Sequence, residues 1–248
     1  MDEKQGIVKR SGNALAYAHL RGIEPTLVFC PGFGSDMYGT KAIFLRDRCA
    51  ARGQAMLRFD YAGHGDSGGK FIDGTIGSWA ADAKAVIEAA LPKGRKILIG
   101  SSMGAWIALL LARGMAPDLA GFVGIAPAPD FTEDLIKSRF EPSQHAATEQ
   151  EKVIFLTNLY GPPTPISHGF LEDARQHLVL RSHIPIFRPV RLIHGQRDTD
   201  VPWQTSLRLA DRIDGEDVQI TLIKDGEHRL SRAADLALID DICSRLSD

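Results

Sequence analysis

Short apolar runs alternate with longer stretches of helical spacing along most of the 248 residues. TLVFC (26–30), AMLRF (55–59), KILIG (96–100), GFVGIA (121–126), PVRLIH (189–194) and VQITLI (218–223) are brief, β-branched and bounded by Gly, Pro or Asp. That pattern predicts strands buried on both faces. Between them, KAIFLRDRCAARG, TIGSWAADAKAVIEAAL, MGAWIALLLARG, WQTSLRLADRI and SRAADLALIDDICSRL repeat apolar residues at helical intervals. Strand, helix, strand, repeated, implies an α/β fold: a mostly parallel sheet covered on both faces by helices. The opening GIVKR and ALAYAHL add an antiparallel edge hairpin.

One segment breaks the rhythm. Residues 127–188 contain no convincing strand and are far longer than the ~4–6 residues usual between elements. Helical stretches within it, TEDLIKSRF, TEQEKVIFLTNLY and GFLEDARQHLV, are interrupted by GPPTP. The expected organisation is therefore a core of residues 1–126 and 189–248, with 127–188 inserted as a helical cap over the carboxyl ends of the strands, where α/β sheets bind ligands.

Composition narrows the function classes. A net charge of −2, from 29 basic and 31 acidic residues, leaves no basic footprint and argues against nucleic acid as a partner. Cys30, Cys49 and Cys243 are sparse, odd in number and without metal spacing, which suggests a reducing compartment. The charged opening MDEKQGIVKR shows no secretory h-region, and AWIALLLA is too short to span a bilayer. The expectation is a cytoplasmic protein without stable membrane insertion, its oligomeric state unspecified.

Chemistry enters at ILIGSSMGAWIALLLA (97–112). Gly100, Ser102 and Gly104 form G-x-S-x-G after a strand-like run and at the opening of an apolar helix. A nucleophile on a sharp strand-to-helix turn needs strained backbone, and glycines two residues away on either side let strand and helix approach. Ser101 lacks that frame, since Ile99 and Met103 flank it at the same spacing. A serine hydroxyl attacks only when a base removes its proton and a carboxylate orients that base. HGQRDTDVPW follows PVRLIH and offers Asp198 or Asp200; DGEHRLS follows VQITLI and offers His228. The HG-x-x-D spacing favours Asp198, and the chain order Ser102, Asp198, His228 suits a serine hydrolase on such a sheet. Oxyanion donors are expected from the N–H of Met103 and from the glycine-rich loop CPGFGSDMYGT, with Phe33 as the donor there.

The other histidines have plainer readings. His194 ends a strand and is expected to pack or to bond backbone; His19, His145, His168, His177 and His183 are expected at the surface, with His177 or His183 as the alternative candidates for the pocket wall. Gly63, Gly65 and Gly68 around His64 match G-x-G-x-x-G, but no helix follows, so DYAGHGDSGG reads as a loop beside the pocket rather than a nucleotide site. His194 and Asp198 have no third metal ligand nearby.

Together PGFGSDMYGTKA, RFDYAGHGDSGG, GSSMGAW, RLIHGQRDTDVPW and DGEHRLS resemble the α/β-hydrolase superfamily over essentially the whole chain. The PGF-S-M-GTKA loop, with VPW after the acid, is similar to the mitochondrial palmitoyl-protein thioesterase group, also described as acyl-glucuronide esterases. The resemblance implies a serine hydrolase of acyl thioesters or esters, needing neither cofactor nor metal, and acting on a small-molecule or acylated-protein substrate. It assigns Ser102 as nucleophile, Asp198 as acid, His228 as base, and Phe33 with Met103 as oxyanion donors. Pro31-Gly32 stands where many superfamily members have His-Gly, and no targeting segment precedes the fold. The rivals are a small-molecule carboxylesterase, with Phe131, Phe140, Phe155, Leu159 and Phe170 shaping an apolar acyl site and Arg139 or Arg188 meeting a carboxylate, and a binding module on the same scaffold.

Overall fold

The computed structural model describes residues 2–136, 153–156 and 164–247. The chain opens with an antiparallel hairpin, β1 (Glu3–Arg10) and β2 (Asn13–Leu20). There follow β3 (Ile23–Cys30), α1 (Thr40–Arg52), β4 (Gln54–Phe59), α2 (Ile76–Ala90), β5 (Lys96–Ser101), α3 (Met103–Ala112) and β6 (Leu119–Ile125). Next come β7 (Val153–Leu156), β8 (Thr164–Ser167) and α4 (His168–Arg175). The chain closes with β9 (Val190–Gly195), α5 (Gln204–Arg212), β10 (Val218–Ile223) and α6 (Ala233–Arg245). The six strands and five helices expected from the apolar pattern all form, and the opening residues make the edge hairpin.

Eight strands pair in the order β1-β2-β4-β3-β5-β6-β9-β10, parallel from β4 to β10. Successive side chains of a strand point to opposite faces. Leu27 and Phe29 accordingly join Ala42 and Leu45 of α1 and Ile239 of α6, whereas Val28 joins Trp79 of α2 and Trp106 of α3 on the other face. Burial on both faces explains the unbroken apolar runs. No helix among the described residues is long and apolar enough to cross a membrane.

Among the described residues, the 127–188 segment is less helical than its sequence suggests. VIFL, expected within the helix TEQEKVIFLTNLY, is strand β7 and pairs antiparallel with β8. Its Val-Ile-Phe run is β-branched and aromatic, and that local preference overrides the weak helical spacing. Thr132–Ile136 winds as a π-helical turn, the rest of TEDLIKSRF lies outside the described residues, and GFLEDARQHLV supplies α4.

The junction of β5 and α3 is closely packed. A Cβ on Gly104 would lie 2.1 Å from the Cys30 carbonyl oxygen, and one on Gly100 would lie 2.3 Å from the Ala105 Cα. Both contacts are with backbone, which cannot rotate away. Gly104→Ala is therefore expected to cost about 1–3 kcal/mol or more, which at this size lowers Tm by roughly 3–10 °C. Thermal unfolding followed by circular dichroism checks this, and an unchanged Tm would contradict the packing.

Candidate active site

Register brings the site loops together at the carboxyl edge of the sheet. Cys30 pairs with Gly100, Ser101 with Ile125, and Ile223 with Gly195, so the loops after β3, β5, β9 and β10 leave the sheet side by side. Ser101 is a buried last residue of β5, a structural neighbour. Ser102 turns the chain at φ 54° and ψ −120°. Its N–H donates to the Ile125 carbonyl at 2.9 Å, and its own carbonyl accepts from Ala128 N–H at 3.2 Å. A non-glycine residue in that region is held there by its surroundings.

The Ser102 Oγ lies 3.0 Å from His228 Nε2, and His228 Nδ1 lies 2.7 Å from Asp198 Oδ2. An ionised carboxylate can only accept, so Nδ1 carries the proton and Nε2 faces the serine hydroxyl as its acceptor. Asp198 Oδ1 accepts from the N–H groups of Asp200 at 2.9 Å and Val201 at 2.8 Å. This separates the two acid candidates: Asp198 meets His228, and Asp200 contributes a backbone donor to it. Gly195 makes the meeting feasible, because a Cβ there would lie 2.2 Å from the Gly226 carbonyl oxygen. That carbonyl accepts from Arg197 N–H at 2.9 Å, which fixes the two loops together.

His194 has a larger part than its sequence suggested. It is fully buried and does bond a backbone carbonyl, that of Val201, at 3.1 Å from Nε2. The same Nε2 lies 3.1 Å from Asp198 Oδ2, so both of its neighbours are acceptors and it must carry the proton. Nδ1 then accepts from the Ser206 hydroxyl at 2.7 Å. Asp198 is thus held by two histidines. Its side chain has no exposed surface, and burial alone would raise its pKa. Hydrogen bonds from His194 and His228 outweigh that and hold the carboxyl well below the usual carboxylate range.

The loop after β3 runs alongside Ser102: a Cβ on Gly32 would lie 3.5 Å from the Ser102 Cβ. Ser35 N–H closes a turn on the Gly32 carbonyl at 3.0 Å. Gly34 N–H donates to His64 Nε2 at 3.3 Å, while His64 Nδ1 faces the Ala62 carbonyl at 3.3 Å. The buried Asp60 accepts from Met37 N–H at 2.7 Å, and Arg58 donates to the Met37 carbonyl at 2.5 Å. The glycine-rich 60–69 stretch is therefore a brace for this loop, and His64, read only as part of a decoy motif, is one of its pins. Met103 opens α3, where the first N–H groups have no partner within the helix.

A cavity of about 450 Å³ opens onto Ser102 and His228, with Ser35, Thr40, Lys41 and Arg229 on its wall. Lys41 Nζ donates to the Arg229 carbonyl at 2.5 Å, tying α1 to the His228 loop; burial, with the Arg229 charge, pushes its pKa down to about 8. Phe131 and Phe170 pack with Phe33, whereas Phe155 is exposed. Phe140, Leu159, Arg139 and His145 lie outside the described residues. Arg188 and His183 are exposed, and neither they nor His177 line the cavity. Asp198, Asp200 and His228 bring ligand-type atoms within 4.8 Å of one another, but both Asp198 oxygens already accept N–H donors.

Residues 27–238 match the alpha/beta hydrolase family. The chain belongs to this family. It is 37% identical to the mitochondrial palmitoyl-protein thioesterase ABHD10 of Mus musculus, over 94% of this chain and 80% of that one. The Homo sapiens protein of that name is 35% identical over 94% of this chain and 78% of its own length. Among solved structures, a protein of Agrobacterium vitis S4 superposes with a TM-score of 0.94 at 35% identity, covering 100% of this chain and 99% of that one. Mouse ABHD10 superposes with a TM-score of 0.88 at 35% identity, covering 98% and 100%.

The depressed pKa of Asp198 has a consequence for this hydrolase's stability. Its ionised form contributes fully above the unfolded carboxylate value near ~3.9, and the contribution is lost as pH falls below that value toward the folded one. The Tm of wild type minus that of Asp198→Asn should therefore shrink between about pH 5 and about pH 3. A difference that stays constant or grows on acidification would contradict the hydrogen-bonded, ionised carboxylate.

Proposed function

We propose that this hydrolase cleaves acyl thioesters or carboxylic esters through an acyl-enzyme on Ser102. The observation that carries the reading is the continuous path from Ser102 Oγ to His228 Nε2 at 3.0 Å and from His228 Nδ1 to Asp198 Oδ2 at 2.7 Å. In the first half-reaction Ser102 Oγ attacks the acyl carbonyl carbon and its proton passes to His228 Nε2. The developing oxyanion accepts from Phe33 N–H and Met103 N–H, donors of a kind worth about 10²–10³-fold in rate each. The carbon–sulfur or carbon–oxygen bond then breaks, and His228 returns the proton to the leaving thiol or alcohol. Water repeats the sequence: His228 takes its proton, hydroxide attacks the acyl-Ser102 carbonyl, and the acid departs as Ser102 is reprotonated. Asp198 keeps the imidazole in the required tautomer throughout and stays ionised.

The relatives named palmitoyl-protein thioesterases favour a long-chain thioester, small or protein-borne, as substrate. One observation favours a second reading, a small-molecule carboxylesterase. The cavity at Ser102 carries Ser35, Asp36, Thr40, Lys41 and Ser231 on its wall, and Phe131 and Phe170 lie outside it, behind Phe33.

Matched thioesters and oxygen esters, from short to long acyl chains, separate the two. Wild type is expected to prefer long-chain thioesters, and Ser102→Ala to lose on the order of 10⁴-fold or more in kcat/KM. A preference for short oxygen esters would favour the carboxylesterase, and an active Ser102→Ala would end the acyl-enzyme reading.

A further inference from the structure

His228 is carried by the loop that joins β10 to α6, and an imidazole is held no better than the backbone beneath it. Two residues on, Leu230 stands at φ 43°, a left-handed conformation that an L residue keeps only under constraint. Its side chain is buried in the same core face as Ile239 and Cys243 of α6, and its N–H closes a turn on the Glu227 carbonyl at 3.2 Å. The other polar atom of that peptide group, the Arg229 carbonyl oxygen, accepts from Lys41 Nζ at 2.5 Å. The turn that brackets His228 is thus closed by one bond from within the loop and by one from α1.

Lys41 reaches the loop from a fixed base. The next residue, Ala42, and Leu45 one turn on are fully buried against the sheet, which anchors the start of α1. A bond from an ammonium to a carbonyl is charge-assisted and roughly twice as strong as one from a neutral amine. Two charged groups face Lys41: Arg229, which opposes its charge, and Asp235 in the first turn of α6, which favours it. Asp36 and His228 line the same cavity. Burial, with the Arg229 charge, outweighs Asp235 and brings the Lys41 pKa down to about 8. The charged donor is therefore present at neutral pH and lost as pH rises through that value.

We infer that Lys41 is a positioning residue for His228: through the Arg229 carbonyl, its ammonium holds the turn that presents the imidazole to Ser102. The inference rests on the acyl-enzyme reading above and adds to it a residue that acts through the backbone. Deprotonation of Lys41 leaves a weaker donor, so the turn loosens and turnover falls. A lysine that met the substrate instead would move KM, and to a different extent for each leaving group.

The test uses the full-length protein and two butanoyl substrates, the thioester of N-acetylcysteamine and the 4-nitrophenyl ester, with kcat and KM measured from about pH 6 to about pH 9.5. Wild type is expected to lose kcat about three- to tenfold on both substrates, with KM within about twofold and the step centred near pH 8. Lys41→Met, which has neither charge nor donor, should show the reduced kcat already at neutral pH and no step. Lys41→Arg, charged throughout the range, should also lack the step. A wild-type kcat that stays flat, a step that persists in either variant, a Lys41→Met with wild-type kcat at neutral pH, or an effect confined to KM overturns the inference. If Lys41→Met fails to fold, the presence or absence of the step in Lys41→Arg decides alone. Any of these failures with hydrolysis still dependent on Ser102 removes only the role of Lys41, whereas hydrolysis that survives Ser102→Ala removes the reading beneath it.

Discussion

The backbone of Ser102 is the constraint on which the site depends. At φ 54° and ψ −120° it holds a conformation that costs an L residue about 1–3 kcal/mol, and its neighbours must keep it there. Gly100 lets β5 close to backbone contact with α3, Gly104 lets α3 close onto the end of β3, and hydrogen bonds to Ile125 and from Ala128 fix the peptide groups on either side. Helix α3, buried at every residue but Leu110, cannot shift to relieve the turn, because Trp106 and its apolar neighbours are packed against the sheet. The result is a hydroxyl presented at the edge of the sheet, facing the His228 imidazole delivered by a different loop.

That imidazole is positioned by close packing as much as by polar bonds. Gly195 allows the loop carrying His228 to lie directly on the loop carrying Asp198, and the Arg197 to Gly226 bond locks the contact. Asp198 is buried without loss of charge because two histidines and two backbone N–H groups converge on it. On the opposite side, Asp60, Arg58 and His64 pin the loop that carries Phe33, so that loop and the Ser102 turn are supported from separate strands.

Much of this was legible in the chain. Buried parallel strands announce themselves as apolar runs, and the G-x-S-x-G frame singles out Ser102 over Ser101 on steric grounds alone. Ser102, Asp198 and His228 were readable because each follows a strand that the pattern makes plain. The second hydrogen bond to Asp198 was not readable: His194 sits at a strand end, and only the fold of the next loop shows its imidazole turned onto the carboxylate. His64 was hidden for a similar reason, since its partner Gly34 is thirty residues away in sequence. In the segment over the site, VIFL was misread as helix because a four-residue strand stabilised by β8 leaves too short a pattern to compete with flanking helical spacing.

The most direct test of the account is labelling by a fluorophosphonate, which reacts with a serine only when a base activates it. Mass spectrometry of the intact and digested protein should show one equivalent per chain, located on Ser102, with the rate strongly reduced in His228→Ala. Modification at another residue, or a Ser102 that labels as fast without His228, would contradict the arrangement of nucleophile and base on which the account rests.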